Sequence, residues 1–218
     1  GVKLPNTKSI VAIDPDTGKT LWKWSDLDAA PMPETLAADA ERAYIQDGGS
    51  AICLDLKTGA VRWRCGDPKA ESRGMKIGCG KNVLVAADGV VLCKLAKDFT
   101  AIDAATGEKL WRMSGGNGFH SPMDVFVING VVWTGIHPKD SVAPPPVDDF
   151  SAARDLRTGK VLSTNHVMVD LQTAGHHHRC YREKATVRYI LAGKRGIEMM
   201  DLTGEEHSRN NWARGTCQ

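Results

Sequence analysis

The sequence predicts an all-β fold, a β-propeller of four-stranded antiparallel blades. Three observations lead to it. The motif Asp-x-x-Thr-Gly recurs at Asp14, Asp55, Asp103 and Asp155, with a shortened copy at Asp201. The copies lie 41, 48, 52 and 46 residues apart, the length of one propeller blade. No stretch sustains the apolar period of about 3.6 residues that a long helix needs.

In chain order, the repeats place β-hairpins near 9–24, 50–65, 99–113, 150–163 and 196–207. The first arm of each alternates apolar and polar residues and runs into the aspartate. The aspartate side chain accepts backbone N–H bonds from the turn. The glycine of Thr-Gly supplies the positive φ that closes it. Asp14 with Gly18, Asp55 with Gly59, Asp103 with Gly107 and Asp155 with Gly159 are therefore read as structural turns. The second arm ends in Trp22, Trp63 and Trp111 in the first three copies, a large flat side chain at one fixed place, suited to docking one blade on the next. Ser163 holds that place in the fourth copy, where looser packing is expected.

Two further strands fit ahead of each later hairpin. They are 34–38 and 42–46 before the second, 82–87 and 90–95 before the third, and 123–128 and 131–136 before the fourth. Asp88-Gly89 and Asn129-Gly130 join two of these pairs and are strong two-residue hairpin signals.

The motif, with Ala or a like residue two places before the Asp and Trp four places after the Gly, resembles the signature of the PQQ-like β-propeller repeat. That family includes quinoprotein alcohol dehydrogenases and an outer-membrane assembly lipoprotein. The resemblance covers essentially all of residues 1–218, read as one PQQ-like propeller segment. The segment from His176 to Thr186 and the run from Asn211 to Gln218 look like uncharacterised planctomycete members. The resemblance is specific for fold and weak for function, because one blade type serves enzymes and scaffolds. It implies more blades than the four to five counted here, so an incomplete ring is expected. A five-bladed ring, completed at its first blade by C-terminal strands, is the alternative. An open arc would leave apolar blade faces and is expected to self-associate.

The 28 basic and 26 acidic residues give a formal charge of +2, with no Lys/Arg run, so nucleic acid is not an expected partner. No apolar run reaches the length of a membrane span. The six cysteines are Cys53, Cys65, Cys79, Cys93, Cys180 and Cys217. Direct pairing of Asp55 with Ala60 would set Cys53 opposite Arg62. Pairing of Ala87 with Val90 sets Cys93 opposite Leu84. Cys53, Cys79 and Cys93 are thus read as small buried apolar residues, while Cys180 and Cys217 could pair or stay free.

The sharpest chemical candidate is His176, His178 and Cys180, which alternate onto one face of a strand. Two imidazoles and a thiolate can bind Zn²⁺ or Cu²⁺. A metal-free polar lining of the propeller mouth is the favoured reading, since two residues of strand separate successive ligands by nearly 7 Å. Asp-x-x-Thr-Gly lacks the alternating oxygen ligands of a Ca²⁺ loop, and Gly115–Gly118 lacks the Lys-Ser/Thr of a phosphate cradle. The adjacent cysteine pair that catalytic members of the resembling family place against the quinone is missing.

The expected function is a non-enzymatic binding scaffold of WD40-like blade layout that presents loops to a protein or glycan. The alternative is a quinoprotein-type or metal-dependent oxidoreductase using the face around His176–Cys180. No cofactor is expected under the first reading, and PQQ or a transition metal under the second. The resemblance implies a periplasmic or extracellular address.

Overall fold

The computed structural model describes residues 8–26, 31–67, 82–96, 98–114, 124–135, 152–164, 184–193, 197–203 and 207–210. The described residues form strands, with a single 3₁₀ turn at Pro33–Thr35. They fall into two compact units, one holding β1 to β10 and the other β11 to β18.

The first unit opens on a two-stranded hairpin, β1 (Ile10–Ile13) with β2 (Thr20–Trp24). Two four-stranded sheets follow. One is β3 (Ala37–Ala38), β4 (Arg42–Asp47), β5 (Ser50–Asp55) and β6 (Val61–Gly66). The other is β7 (Leu84–Ala87), β8 (Val90–Leu95), β9 (Asp98–Asp103) and β10 (Lys109–Ser114). The second unit holds β11 (Asp124–Ile128), β12 (Val131–Gly135), β13 (Ala152–Asp155) and β14 (Val161–Thr164) in one sheet. Its other sheet is β15 (Lys184–Ala185), β16 (Tyr189–Gly193), β17 (Ile197–Asp201) and β18 (His207–Asn210). In every four-stranded sheet neighbours in sequence are neighbours in space, the up-and-down meander of a blade.

Burial explains the composition of the strands. The second strand β8 is buried along its whole length, Lys94 included, and β5 is buried from Ser50 to Leu54. A strand covered on both faces needs apolar residues throughout rather than in alternation. The outer strand β6 alternates instead, with Trp63 and Cys65 buried and Arg62 and Arg64 exposed. Among the described residues two clusters lie between sheets of the first unit. Ile10, Trp24, Ile45, Ile52 and Leu54 pack between the first hairpin and the second sheet. Tyr44, Cys53, Trp63, Cys65, Val91, Cys93 and Ile102 pack between the second and third sheets. In the second unit Trp133, Ala153 and Ile190 centre a smaller cluster.

The two-residue turns form as their sequences dictate. Asp88 and Gly89 have φ of 48° and 74°, and Asn129 and Gly130 have 52° and 75°, the left-handed pair of a type I′ hairpin. Ala87 pairs with Val90, and Cys93 with Leu84.

Two expectations are corrected. The segment 34–38 is a strand only at Ala37–Ala38. Pro33 starts a 3₁₀ turn, since its fixed φ suits a turn and it has no N–H for a ladder. The Thr35 hydroxyl replaces the missing ladder, donating to the Met32 carbonyl at 2.7 Å and accepting from the Gln46 N–H at 2.9 Å. Cys53 faces Trp63 and not Arg62, because the register slips by one residue between Cys53 and Leu54. The same slip occurs between Ala12 and Ile13 and between Ala153 and Arg154. Each is a β-bulge that leaves one outer-strand residue unpaired, Leu21, Arg62 or Leu162, and after the first two the next residue, Trp22 or Trp63, lies against the following sheet.

Candidate functional site

The repeat turns are built alike. The Asp55 carboxylate accepts from the N–H groups of Lys57 and Thr58 and from the Thr58 hydroxyl, at 2.9–3.0 Å. Asp155 accepts from the matching groups of Arg157 and Thr158. Asp14 accepts from Asp16 and Thr17, and Asp103 from Ala105 and Thr106. Gly59 has φ of 72°, and its N–H returns to the Asp55 carbonyl at 2.8 Å. Such donors hold the carboxylate charged. The Arg62 guanidinium, then the Thr58 hydroxyl and N–H, hold Asp55 far below the usual carboxylate range. The turn contacts all fall on Oδ1 of Asp55 and of Asp155, while Oδ2 of Asp55 accepts from Arg62.

The tryptophans form a second repeated device. The Trp22 indole N–H donates to the Leu56 carbonyl at 2.8 Å, and that of Trp63 to the Ala104 carbonyl at 3.0 Å. Each acceptor follows the turn aspartate of the next repeat. The rings lie against the next glycine: a Cβ placed on Gly59 would sit 2.6 Å from Trp22 Cε3, and one on Gly107 2.8 Å from Trp63 Cδ2. Trp63 is buried and Trp22 half-buried. Trp111 is half-buried beside Phe99, ring centroids 6.1 Å apart. Ser163 is exposed.

His176, His178 and Cys180 lie outside the described residues, as do Cys79 and Cys217. Among the described residues no three His, Cys, Asp or Glu side chains converge on a metal position. Cys53, Cys65 and Cys93 are free, buried thiols of one core cluster.

Among the described residues of the second unit lies an open groove of about 600 Å³ lined by residues 125–129 and 185–187. It runs between β11 with its turn and β15 with its turn. Among the described residues both are edge strands of their sheets, and an edge strand offers main-chain N–H and C=O groups that its own sheet does not use. Phe126 and Ile128 point back into the core, while Val187 is 79% exposed at the rim. The Thr186 hydroxyl is occupied, accepting from the Arg188 and Tyr189 N–H groups. None of the lining side chains ionises. The described lining thus offers no charged group to a divalent metal or to a carboxylate. Sequence reasoning missed it. Its traces were the Asn129-Gly130 turn and the valine-rich run ahead of it, which marked a strand without marking a strand edge.

Comparison with known proteins places this architecture. A family profile described as outer membrane protein assembly factor BamB matches residues 6–169. BamB from Moraxella catarrhalis is structurally similar at TM-score 0.54 and 18% identity, over 97% of this chain and 60% of that one. A quinohemoprotein alcohol dehydrogenase from Pseudomonas putida is similar at TM-score 0.60 and 16% identity, over 93% of this chain and 39% of that one. The corresponding enzyme from Comamonas testosteroni gives 0.54 and 16%, over 92% and 40%. The chain thus spans 60% of the length of that BamB and about two fifths of the dehydrogenases. No curated protein matches it by sequence. These likenesses carry the fold: all-β, with PQQ-like propeller blades.

Proposed function

The chain belongs to the PQQ-like propeller family of the outer membrane protein assembly factor BamB, and on that premise we propose that it is a non-enzymatic binding scaffold that takes an extended apolar segment of a protein partner in the groove between β11 and β15. The observation that carries this reading is an open groove, part apolar and part polar, flanked by two edge strands and lined by no ionisable side chain. Edge strands bind extended chains through main-chain hydrogen bonds, and the alternating pockets beside them select side chains. A glycan suits the groove less well. Its single aromatic ring, Phe126, packs into the core and offers no stacking platform. The family's membership supports a periplasmic or extracellular address. No helix among the described residues is long and apolar enough to cross a membrane.

The test is fluorescence anisotropy with a labelled ten-residue peptide alternating valine and threonine. Saturable binding, weakened about tenfold or more by Val187→Asp, is expected, since Val187 is exposed and its loss leaves the core intact. Equal binding by the variant would place the partner elsewhere. Oxidation of a primary alcohol by the chain supplied with PQQ and Ca²⁺ would sink the scaffold reading.

A further inference from the structure

The groove of the second unit is flanked by β11, and the register of that strand fixes which of its main-chain groups are open. Asn129 and Gly130 have φ of 52° and 75°, so their two-residue turn makes Ile128 and Val131 a pair that exchanges both hydrogen bonds. Such pairs alternate along an antiparallel ladder, so Phe126 with Trp133 and Asp124 with Gly135 are bonded likewise. The N–H and C=O groups of Val125 and Val127 then point away from β12, across the edge. Among the described residues no strand pairs with that side, and no turn or loop bond reaches those groups. Open edges are commonly blunted by a bulge, a proline or a charge. β11 pairs with β12 without a register shift, and residues 125–128 carry neither proline nor charge. The facing strand β15 offers less. The Thr186 N–H donates to the Tyr189 carbonyl at 2.8 Å, which leaves only Ala185 of this short strand with its main chain turned outward.

We propose that the partner segment joins the β11 edge as a further strand of that sheet, held through the main chain of Val125 and Val127, and that this register selects its sequence. The inference rests on the groove reading given above and adds which atoms bind. Neighbours in this sheet are all antiparallel, and an added strand continues that pattern. Residues of the segment opposite Val125 and Val127 then exchange both hydrogen bonds with them, so neither can be proline. The residue between them, opposite Phe126, directs its own N–H away and puts its side chain on the Phe126 face. On that face Phe126, Ile128 and Ala185 pack against the cluster of Trp133, Ala153 and Ile190. The lining has no ionisable side chain to pair with a charge brought there. The segment is therefore an extended strand with an uncharged, apolar residue opposite Phe126 and with proline excluded from the two positions beside it.

The probe is the ten-residue valine–threonine peptide, added to saturation to the isotope-labelled full chain, with amide hydrogen exchange followed by NMR residue by residue. In the free chain the amides of Phe126 and Ile128 should exchange slowly and those of Val125 and Val127 fast. The peptide should slow Val125 and Val127 by about tenfold or more and change Phe126 and Ile128 far less. With the label in the peptide instead, alternate amides should be protected. Saturable anisotropy without added protection at Val125 and Val127 would leave the groove reading standing and overturn this one. Slow exchange of the two valines in the free chain would show the edge already paired and overturn it too. Absence of saturable binding at millimolar peptide would overturn both.

Discussion

The indole N–H of Trp63 donates to the carbonyl oxygen of Ala104 at 3.0 Å, across 41 residues of chain. The same ring covers Gly107 of the third sheet and packs within its own sheet on Tyr44, at a centroid distance of 6.0 Å. Replacing Trp63 by Ala is expected to cost about 3–5 kcal/mol, the range for a buried aromatic. Trp63→Phe keeps most of the area but strands the Ala104 carbonyl, at about 1–3 kcal/mol. Urea denaturation of the two variants separates packing from hydrogen bonding.

Gly59→Ala and Gly18→Ala share a backbone penalty, since both glycines have positive φ. They differ in what the new methyl meets. At Gly59 it meets the Trp22 ring, and at Gly18 open space. The first should therefore be worse than the second by about 1–3 kcal/mol, the cost of overpacking. Equal losses in thermal denaturation would refute the contact.

Stability should fall on the acid side below pH 4. Asp14 is held down by the N–H groups of Thr17 and Asp16, Asp55 by Arg62, and Asp155 and Asp201 by the hydroxyls of Thr158 and Thr203. Groups with depressed folded values stabilise the fold above their unfolded value of 3.8 and lose that contribution as pH drops through the folded value. On the alkaline side, burial pushes Cys53 from 9.0 up to about 11. The unfolded thiol ionises first, so stability declines from about pH 9 upward. Melting temperature against pH should be flat between these limbs, and Asp55→Asn should blunt the acid limb.

Burial, before any neighbouring charge, raises the thiols of Cys53, Cys65 and Cys93, and at Cys93 the nearby Cys65 adds to it. The thiolate is the reactive form. None of the three should alkylate with iodoacetamide at pH 8 in the native chain, and all three should in urea. Peptide mapping by mass spectrometry reads this site by site, and early modification of Cys65 would show that the sheets part there.

The hairpins were legible because Asp-x-x-Thr-Gly is a local device: its hydrogen bonds close within five residues, so the sequence states them directly. The type I′ turns at Asp88-Gly89 and Asn129-Gly130 were legible for the same reason. The bulges at Leu21, Arg62 and Leu162 were not. They depend on register across the hairpin, and Cys53 faces Trp63 as a result. The first strand of the second sheet was overdrawn, because a Pro33 turn held by Thr35 looks like a strand in composition alone. The groove was invisible, since whether residues 125–128 form an edge or a central strand depends on pairing and not on their apolar content.

The direction of the docking bonds gives the first unit an order of assembly. Trp22 finds its acceptor 34 residues later and Trp63 finds its own 41 residues later. A chain emerging from the ribosome therefore presents each ring before the turn that accepts it exists. Every blade must wait one repeat for its successor, then is locked as that successor's Thr-Gly turn folds. Folding should advance as a wave from the N-terminus, with a single half-docked repeat at its front, and synthesis arrested at successive lengths should lock one tryptophan at a time.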